Sequence, residues 1–122
     1  MKSFLKYNVA SFVWALLILW MSLRSSSGLP LIDIPHFDKV VHFAFYLILA
    51  MLMFYGWVKQ HSFVALHRYA FAGIVLIAST YGVIIELMQE SFTSNRHFET
   101  LDIVADAAGA IIGSLISVKL FK

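Results

Sequence analysis

Four long apolar runs separated by short polar connectors make up most of this chain. The runs cover residues 4–23, 40–58, 69–88 and 103–121. A helix that crosses a membrane needs about 20 mostly apolar residues, because each residue adds about 1.5 Å toward a hydrocarbon core about 30 Å thick. The pattern therefore predicts an all-α fold, a four-helix transmembrane bundle, and we expect residues 1–122 to form a single membrane domain.

The first run also has the features of a cleaved signal peptide. Lys2 and Lys6 supply a basic amino-terminal end, and the serines at 25–27 offer small residues for a cleavage site. The run is long for a signal core, however, and it contains the bulky Trp14 and Trp20. We interpret it as a retained helix.

Charged residues sort between the two predicted membrane faces. With four crossings, one face carries six lysines and arginines and no acidic residue, whereas the other carries seven acidic and three basic residues. Cytoplasmic segments of membrane proteins are enriched in Lys and Arg. The sorting predicts that the N and C termini are both cytoplasmic.

Composition agrees with a membrane protein and excludes other classes. Hydrophobic residues make up 61% of the chain and charged residues 13%, with a mean hydropathy of +0.83, whereas about a quarter of a soluble domain is charged. The absence of cysteine excludes disulfides and thiolate metal sites. A net charge of +2 without a basic patch gives no nucleic-acid partner. The expected partner is the lipid membrane.

Ionisable residues enter three of the runs at a similar depth. His42 lies just inside the start of the second run, Glu86 just before the end of the third, and Asp106 just inside the start of the fourth. Each is roughly 6 Å from the predicted end of its helix. Placing an ionised carboxylate in hydrocarbon costs about 2.5–3.5 kcal/mol, so these side chains require partners.

Cations near the same face can neutralise these acids. We predict that Arg96 folds down from its loop to bridge Glu86 and an aspartate of the fourth run, and that Lys39 or His42 completes the cluster. His42 is equally suited to binding a ligand or transferring a proton and to serving as a hydrogen-bond partner of Glu86 or Tyr46 within the bundle. The full predicted polar site comprises Asp38, Lys39, His42, Glu86, Gln89, Arg96, Asp102 and Asp106.

Glycines lie on the same helix faces as the acids. Positions three or four apart share a face, so Gly109 and Gly113 align with Asp106, and Gly82 aligns with Glu86. Small residues let membrane helices approach closely. We predict that these three glycines are helix-packing positions that face the interior of the bundle.

Several of these positions occur in an order and spacing that resemble the VanZ-like family of small bacterial membrane proteins. The positions are DKVVH at 38–42, Tyr46, Glu86, Gln89, Arg96 and DIVADAAGAIIG at 102–113. The resemblance implies a multi-pass protein of the bacterial inner membrane whose namesake is linked to teicoplanin resistance. Asp106 stands where the family usually has asparagine, and Glu99 where it often has serine, so this face is more acidic.

Three functions remain open for the polar site. The first is an outward-facing site that binds or alters a lipid-linked or cell-envelope component, or binds a glycopeptide-related ligand. The family resemblance implies that such a site could affect teicoplanin susceptibility. The second is an intramembrane hydrolase or transferase of lipid head groups, with Glu86 or Asp106 as general base. The third is a structural subunit that docks to a larger membrane complex through its glycine faces. We favour a role without catalysis.

The sequence indicates neither a metal nor another cofactor. The acids and His42 are groups that divalent cations bind, but the chain contains no metal-binding loop and no HExxH helix. The expectation from spacing is therefore a polar site without a metal.

Overall fold

The computed structural model describes residues 2–23, 37–92 and 100–121, and every regular element within these ranges is a helix. Four helices are long and apolar enough to cross a membrane. The predicted all-α fold with four spans is confirmed, while the orientation of the termini stays a prediction. The elements are α1 (Lys2–Leu23), α2 (Phe37–Lys59), the short α3 (Ala65–Arg68), α4 (Ala70–Phe92) and α5 (Thr100–Phe121).

The helices extend past the predicted apolar runs at their polar ends. α2 begins at Phe37, α4 continues to Phe92 and α5 begins at Thr100. Hydropathy locates only the apolar part of a helix, whereas backbone hydrogen bonding continues through polar residues that favour the helical conformation. Polar side chains such as Lys39 and Asp102 therefore project from helices and not from loops.

α2 is the central helix and packs most extensively against α5. Two of the predicted packing glycines make this contact. A Cβ atom at Gly113 would lie 2.5 Å from the carbonyl oxygen of Leu47, and one at Gly109 would collide with the carbonyl oxygen of Phe43. The missing side chains thus let the backbones of α2 and α5 lie against each other.

Apolar side chains of α1, α2, α4 and α5 fill the interior. The outer surface is apolar as well, with exposed residues such as Val13, Leu16 and Leu76. Apolar side chains both inside and outside suit a lipid environment, because the surface of the bundle then contacts hydrocarbon and not water. The buried apolar residues are Ile18, Tyr46, Leu49, Ala50, Phe54, Trp57, Ala70, Ile74, Ala78, Ile85 and Ala110.

Polar side chains attach α1 to the other helices. The indole Nε1 of Trp14 donates a hydrogen bond to the carbonyl oxygen of Phe45, at 2.9 Å. The hydroxyl of Tyr81 donates to the carbonyl oxygen of Ala15. α1 is therefore integrated into the bundle by directional bonds as well as by packing.

Gln60 closes the turn between α2 and α3. Its buried side chain donates from Nε2 to the carbonyl oxygen of Phe63 at 2.6 Å and accepts from the amide of Phe63 at 2.8 Å. A ring nitrogen of His67 lies 2.7 Å from the carbonyl oxygen of Gln60. The amide of His61 donates to Ser3, which joins this turn to the start of α1.

Candidate polar site within the bundle

Five ionisable side chains meet at the end of the bundle where α2 and α5 begin and α4 ends. Lys39 and His42 come from α2, Glu86 from α4, and Asp102 and Asp106 from α5. Each residue lies within about 10 Å of its helix terminus at about 1.5 Å per residue. We call these five residues the acid–histidine cluster.

A chain of ionic contacts crosses from α2 to α5. Lys39 Nζ lies 3.1 Å from Asp102 Oδ1, and His42 Nε2 lies 3.8 Å from Asp102 Oδ2. His42 Nδ1 lies 2.8 Å from Asp106 Oδ1. With Asp106 ionised, its carboxylate can only accept, and Nδ1 of His42 is then the donor. His42 therefore stands between the two aspartates.

The acids of the cluster are buried, while its basic members are partly exposed. Glu86 is 0% exposed and Asp106 1%, whereas the side chains of His42 and Lys39 are 13% and 19% exposed. A buried charge is stable only when it is paired and hydrogen-bonded. The cluster is accessible from the side of Lys39 and His42, with the acids behind them.

Gly82 makes room for Asp106. A Cβ atom at Gly82 would lie 2.6 Å from Asp106 Oδ2, so the carboxylate rests against the backbone of α4. Among the described residues this oxygen has no hydrogen-bond partner. Gly82, predicted as a helix-packing residue, lies at the wall of the polar site itself.

Some of the predicted site residues lie elsewhere or beyond the described part of the chain. The Nε2 of Gln89 donates to the carbonyl oxygen of Ser22 at 2.8 Å, so this amide connects α4 to α1. Arg96 and the side chain of Asp38 lie outside the described residues, and the predicted bridge from Arg96 to Glu86 stays a prediction. The structure shows Asp106 as a hydrogen-bond partner of His42, in addition to the partners that the sequence suggested.

The sequence pattern does not predict some of the polar residues that the structure buries. Ser117 is buried and donates to the carbonyl oxygen of Gly113 at 2.8 Å, and Asn8 is buried and donates to the carbonyl oxygen of Phe4 at 2.9 Å. Both use their own helix backbone, a common solution for short polar side chains. Ser117 lies four residues after Gly113 and therefore on the same helix face, which is the sequence pattern that could have predicted its burial.

A profile of the VanZ/LLP1 family matches residues 2–122, which is nearly the whole chain. The chain belongs to the VanZ/LLP1 family. It is also similar to an uncharacterized protein of Schizosaccharomyces pombe, with 29% identity over 123 residues, covering 100% of this chain and 72% of that protein. No solved structure matches it.

Membership of the VanZ/LLP1 family confirms the resemblance seen in the polar positions. Together with four helices that can cross a membrane, it supports a multi-pass membrane protein. The similar protein from Schizosaccharomyces pombe belongs to a yeast, so a bacterial inner-membrane location stays a prediction.

Proposed function

We propose that this VanZ/LLP1 protein binds the polar part of a lipid-linked or cell-envelope molecule at the acid–histidine cluster. Binding there would alter susceptibility to glycopeptides such as teicoplanin, as the family resemblance suggests. The observation that carries the proposal is the pairing of Lys39, His42, Asp102 and Asp106 within one site near the ends of helices long enough to span a membrane. Intramembrane ionisable residues commonly mark functional sites.

Exposure and charge favour a polar head group as the ligand. Lys39 and His42 are the partly exposed members, and the ammonium group of Lys39 suits phosphate or carbonyl oxygens. The acids behind them suit ammonium, amide or hydroxyl donors. A head group that carries both kinds of group would complete both sides of the site. The sorting of charges supports an outward-facing site in the bacterial inner membrane.

A second candidate function is hydrolysis or transfer of a lipid head group. The observation in its favour is the 2.8 Å contact between His42 and Asp106, because a base oriented by a carboxylate is the usual arrangement for activating a nucleophile. This geometry favours His42 as general base, in place of Glu86 or Asp106. Product formed by purified protein from a labelled lipid would favour this function over binding alone.

The third interpretation, docking through glycine faces, has less support. Gly82, Gly109 and Gly113 are buried within the chain itself. A partner protein would therefore have to bind a surface of this chain that does not include these glycines.

Substitution of Glu86 tests the proposed function. Glu86→Gln removes the charge but keeps the shape, so we expect normal folded yield in detergent and loss of the effect on teicoplanin susceptibility in a bacterial host. Asp106→Asn and Arg96→Ala extend the series. Glu90→Gln is the matched control, because Glu90 lies one turn away on α4 and is exposed.

The possible outcomes separate the three interpretations. If yield and phenotype fall together in every cluster variant, the site is structural. If Glu86→Gln, Asp106→Asn and Arg96→Ala all fold and behave like the parent, the proposed function is wrong.

A further inference from the structure

Three groups that ligate metals converge inside the acid–histidine cluster. A ring nitrogen of His42 and one carboxylate oxygen each of Glu86 and Asp102 lie within 4.8 Å of one another. They come from α2, α4 and α5, so only the packing of the helices brings them together. We propose that His42, Glu86 and Asp102 bind a divalent transition-metal ion of the Zn²⁺ class.

The hydrogen bond to Asp106 orients His42 for this role. Nδ1 of His42 lies 2.8 Å from Asp106 Oδ1. When Nδ1 donates to this oxygen, a neutral ring keeps its lone pair on Nε2. Metal-binding histidines characteristically donate their other ring N–H to a carboxylate or carbonyl, which fixes the tautomer and raises the basicity of the ligand nitrogen. Asp106 is therefore a positioning residue for the His42 ligand.

The spacing between His42 and Asp102 fits two ligands of one ion. Nε2 and Asp102 Oδ2 are 3.8 Å apart, longer than the about 2.7–3.2 Å of a hydrogen bond. Two ligand atoms that each lie about 2.1 Å from a tetrahedral zinc ion are about 3.4 Å apart, so a small shift of the two side chains brings them to that separation. Asp102 Oδ1 faces Lys39 at 3.1 Å, so the two oxygens of this carboxylate have separate roles.

The ligand types and the charge select the metal. Imidazole nitrogen with carboxylate oxygen suits zinc and neighbouring transition metals, whereas Mg²⁺ and Ca²⁺ prefer oxygen ligands alone. A divalent cation adds positive charge beside the carboxylates of Glu86 and Asp102. Buried charges of one sign are costly in a membrane.

Three protein ligands leave one coordination position of a tetrahedral zinc ion open. A water molecule or an oxygen of a polar head group can take that position. The metal inference thus deepens the proposed function, on whose binding site it rests, because the ion would be the point at which an anionic or carbonyl oxygen is held.

Metal binding by the purified full-length protein tests the inference without any measurement of function. The protein is stripped with a chelator in detergent, and Zn²⁺ binding is followed by calorimetry and by metal analysis after dialysis. We expect about one Zn²⁺ per chain, no competition from excess Mg²⁺, and an increase in thermal stability on binding. Absence of saturable Zn²⁺ binding by the folded parent protein overturns the inference, whatever the variants do.

Variants locate the ion. Asp106→Asn should weaken Zn²⁺ binding about 10- to 100-fold, the usual effect of changing an outer-shell carboxylate, and Glu86→Gln, Asp102→Asn and His42→Gln should weaken it further. Glu90→Gln should bind as the parent does. Equal Zn²⁺ affinity in folded Glu86→Gln and in the parent would place the ion elsewhere and would also overturn the inference.

The metal result and the functional result are separable. If the parent protein binds no Zn²⁺ but Glu86→Gln still folds and loses the phenotype, the proposed function stands without a metal. If Zn²⁺ binds with the expected dependence on the variants but no variant changes the phenotype, the metal site stands and the proposed function is wrong.

Discussion

Asp102 has a different partner for each of its carboxylate oxygens. Oδ1 faces Lys39 and Oδ2 faces His42, both of which project from α2. The carboxylate is 9% exposed and the Lys39 side chain 19%. Little water screens this pair, so its interaction is stronger than that of a surface ion pair.

A double-mutant cycle with Lys39→Met and Asp102→Asn measures this pair. We expect a coupling energy of about 0.5–3 kcal/mol in the free energy of unfolding, the range for residues in direct contact. Unfolding in mixed detergent micelles provides the measurement. Glu90→Gln combined with Lys119→Met serves as the control, because both residues are exposed and lie on different helices. A coupling near that of the control pair would mean that the ion pair contributes nothing to stability.

At the scale of the helix, glycines decide how closely α5 approaches α2. Gly109 faces the backbone of α2 at Phe43, and the nearest atom to an added Cβ would be a main-chain oxygen. A main-chain carbonyl cannot rotate away as a side chain can, so an added methyl group would push the two helices apart.

Gly109→Ala should therefore destabilise the protein by about 1–3 kcal/mol, the usual cost of overpacking a close contact. The free energy of unfolding in detergent micelles measures the effect. Ile111→Ala on the same helix is the control, because Ile111 is 39% exposed and lies two residues from Gly109, on a different face of α5. Stability of Gly109→Ala within about 0.5 kcal/mol of the parent would contradict the close approach.

The sequence predicts the helices better than it predicts their contacts. Hydropathy reveals the four spans because each must be apolar over the thickness of the hydrocarbon. The depth of His42, Glu86 and Asp106 follows from the helical rise alone. The bond between His42 and Asp106 does not, because the rotation and crossing of α2 and α5 depend on long-range packing. The same holds for Gln89, whose partner Ser22 lies on α1.

For the molecule as a whole, orientation in the membrane determines whether the acid–histidine cluster lies at the cytoplasmic or the outer side. The cluster lies at the end where α4 finishes, and the turn containing His61 lies at the opposite end of α2. Cytoplasmic segments are enriched in Lys and Arg, which predicts that the turn lies inside and the cluster outside.

Single cysteines test this orientation, because the chain contains none of its own. Ser91→Cys, at an exposed position near the end of α4, should react with a membrane-impermeant maleimide in intact cells. His61→Cys, also exposed, should react only after permeabilisation. The parent protein gives the background signal, and labelling with the reverse pattern would mean that both termini are outside.

The hydrogen bonds that attach α1 have an asymmetric consequence for engineering. Trp14, Tyr81 and Gln89 each donate to a main-chain oxygen. A main-chain oxygen remains available when the side chain of its residue is replaced. The hydrogen bonds therefore tolerate substitution of the acceptor residues but not of the donor residues. Libraries that diversify Ala15 and Ser22 while holding the three donors constant should therefore retain more correctly assembled protein than libraries built the other way round.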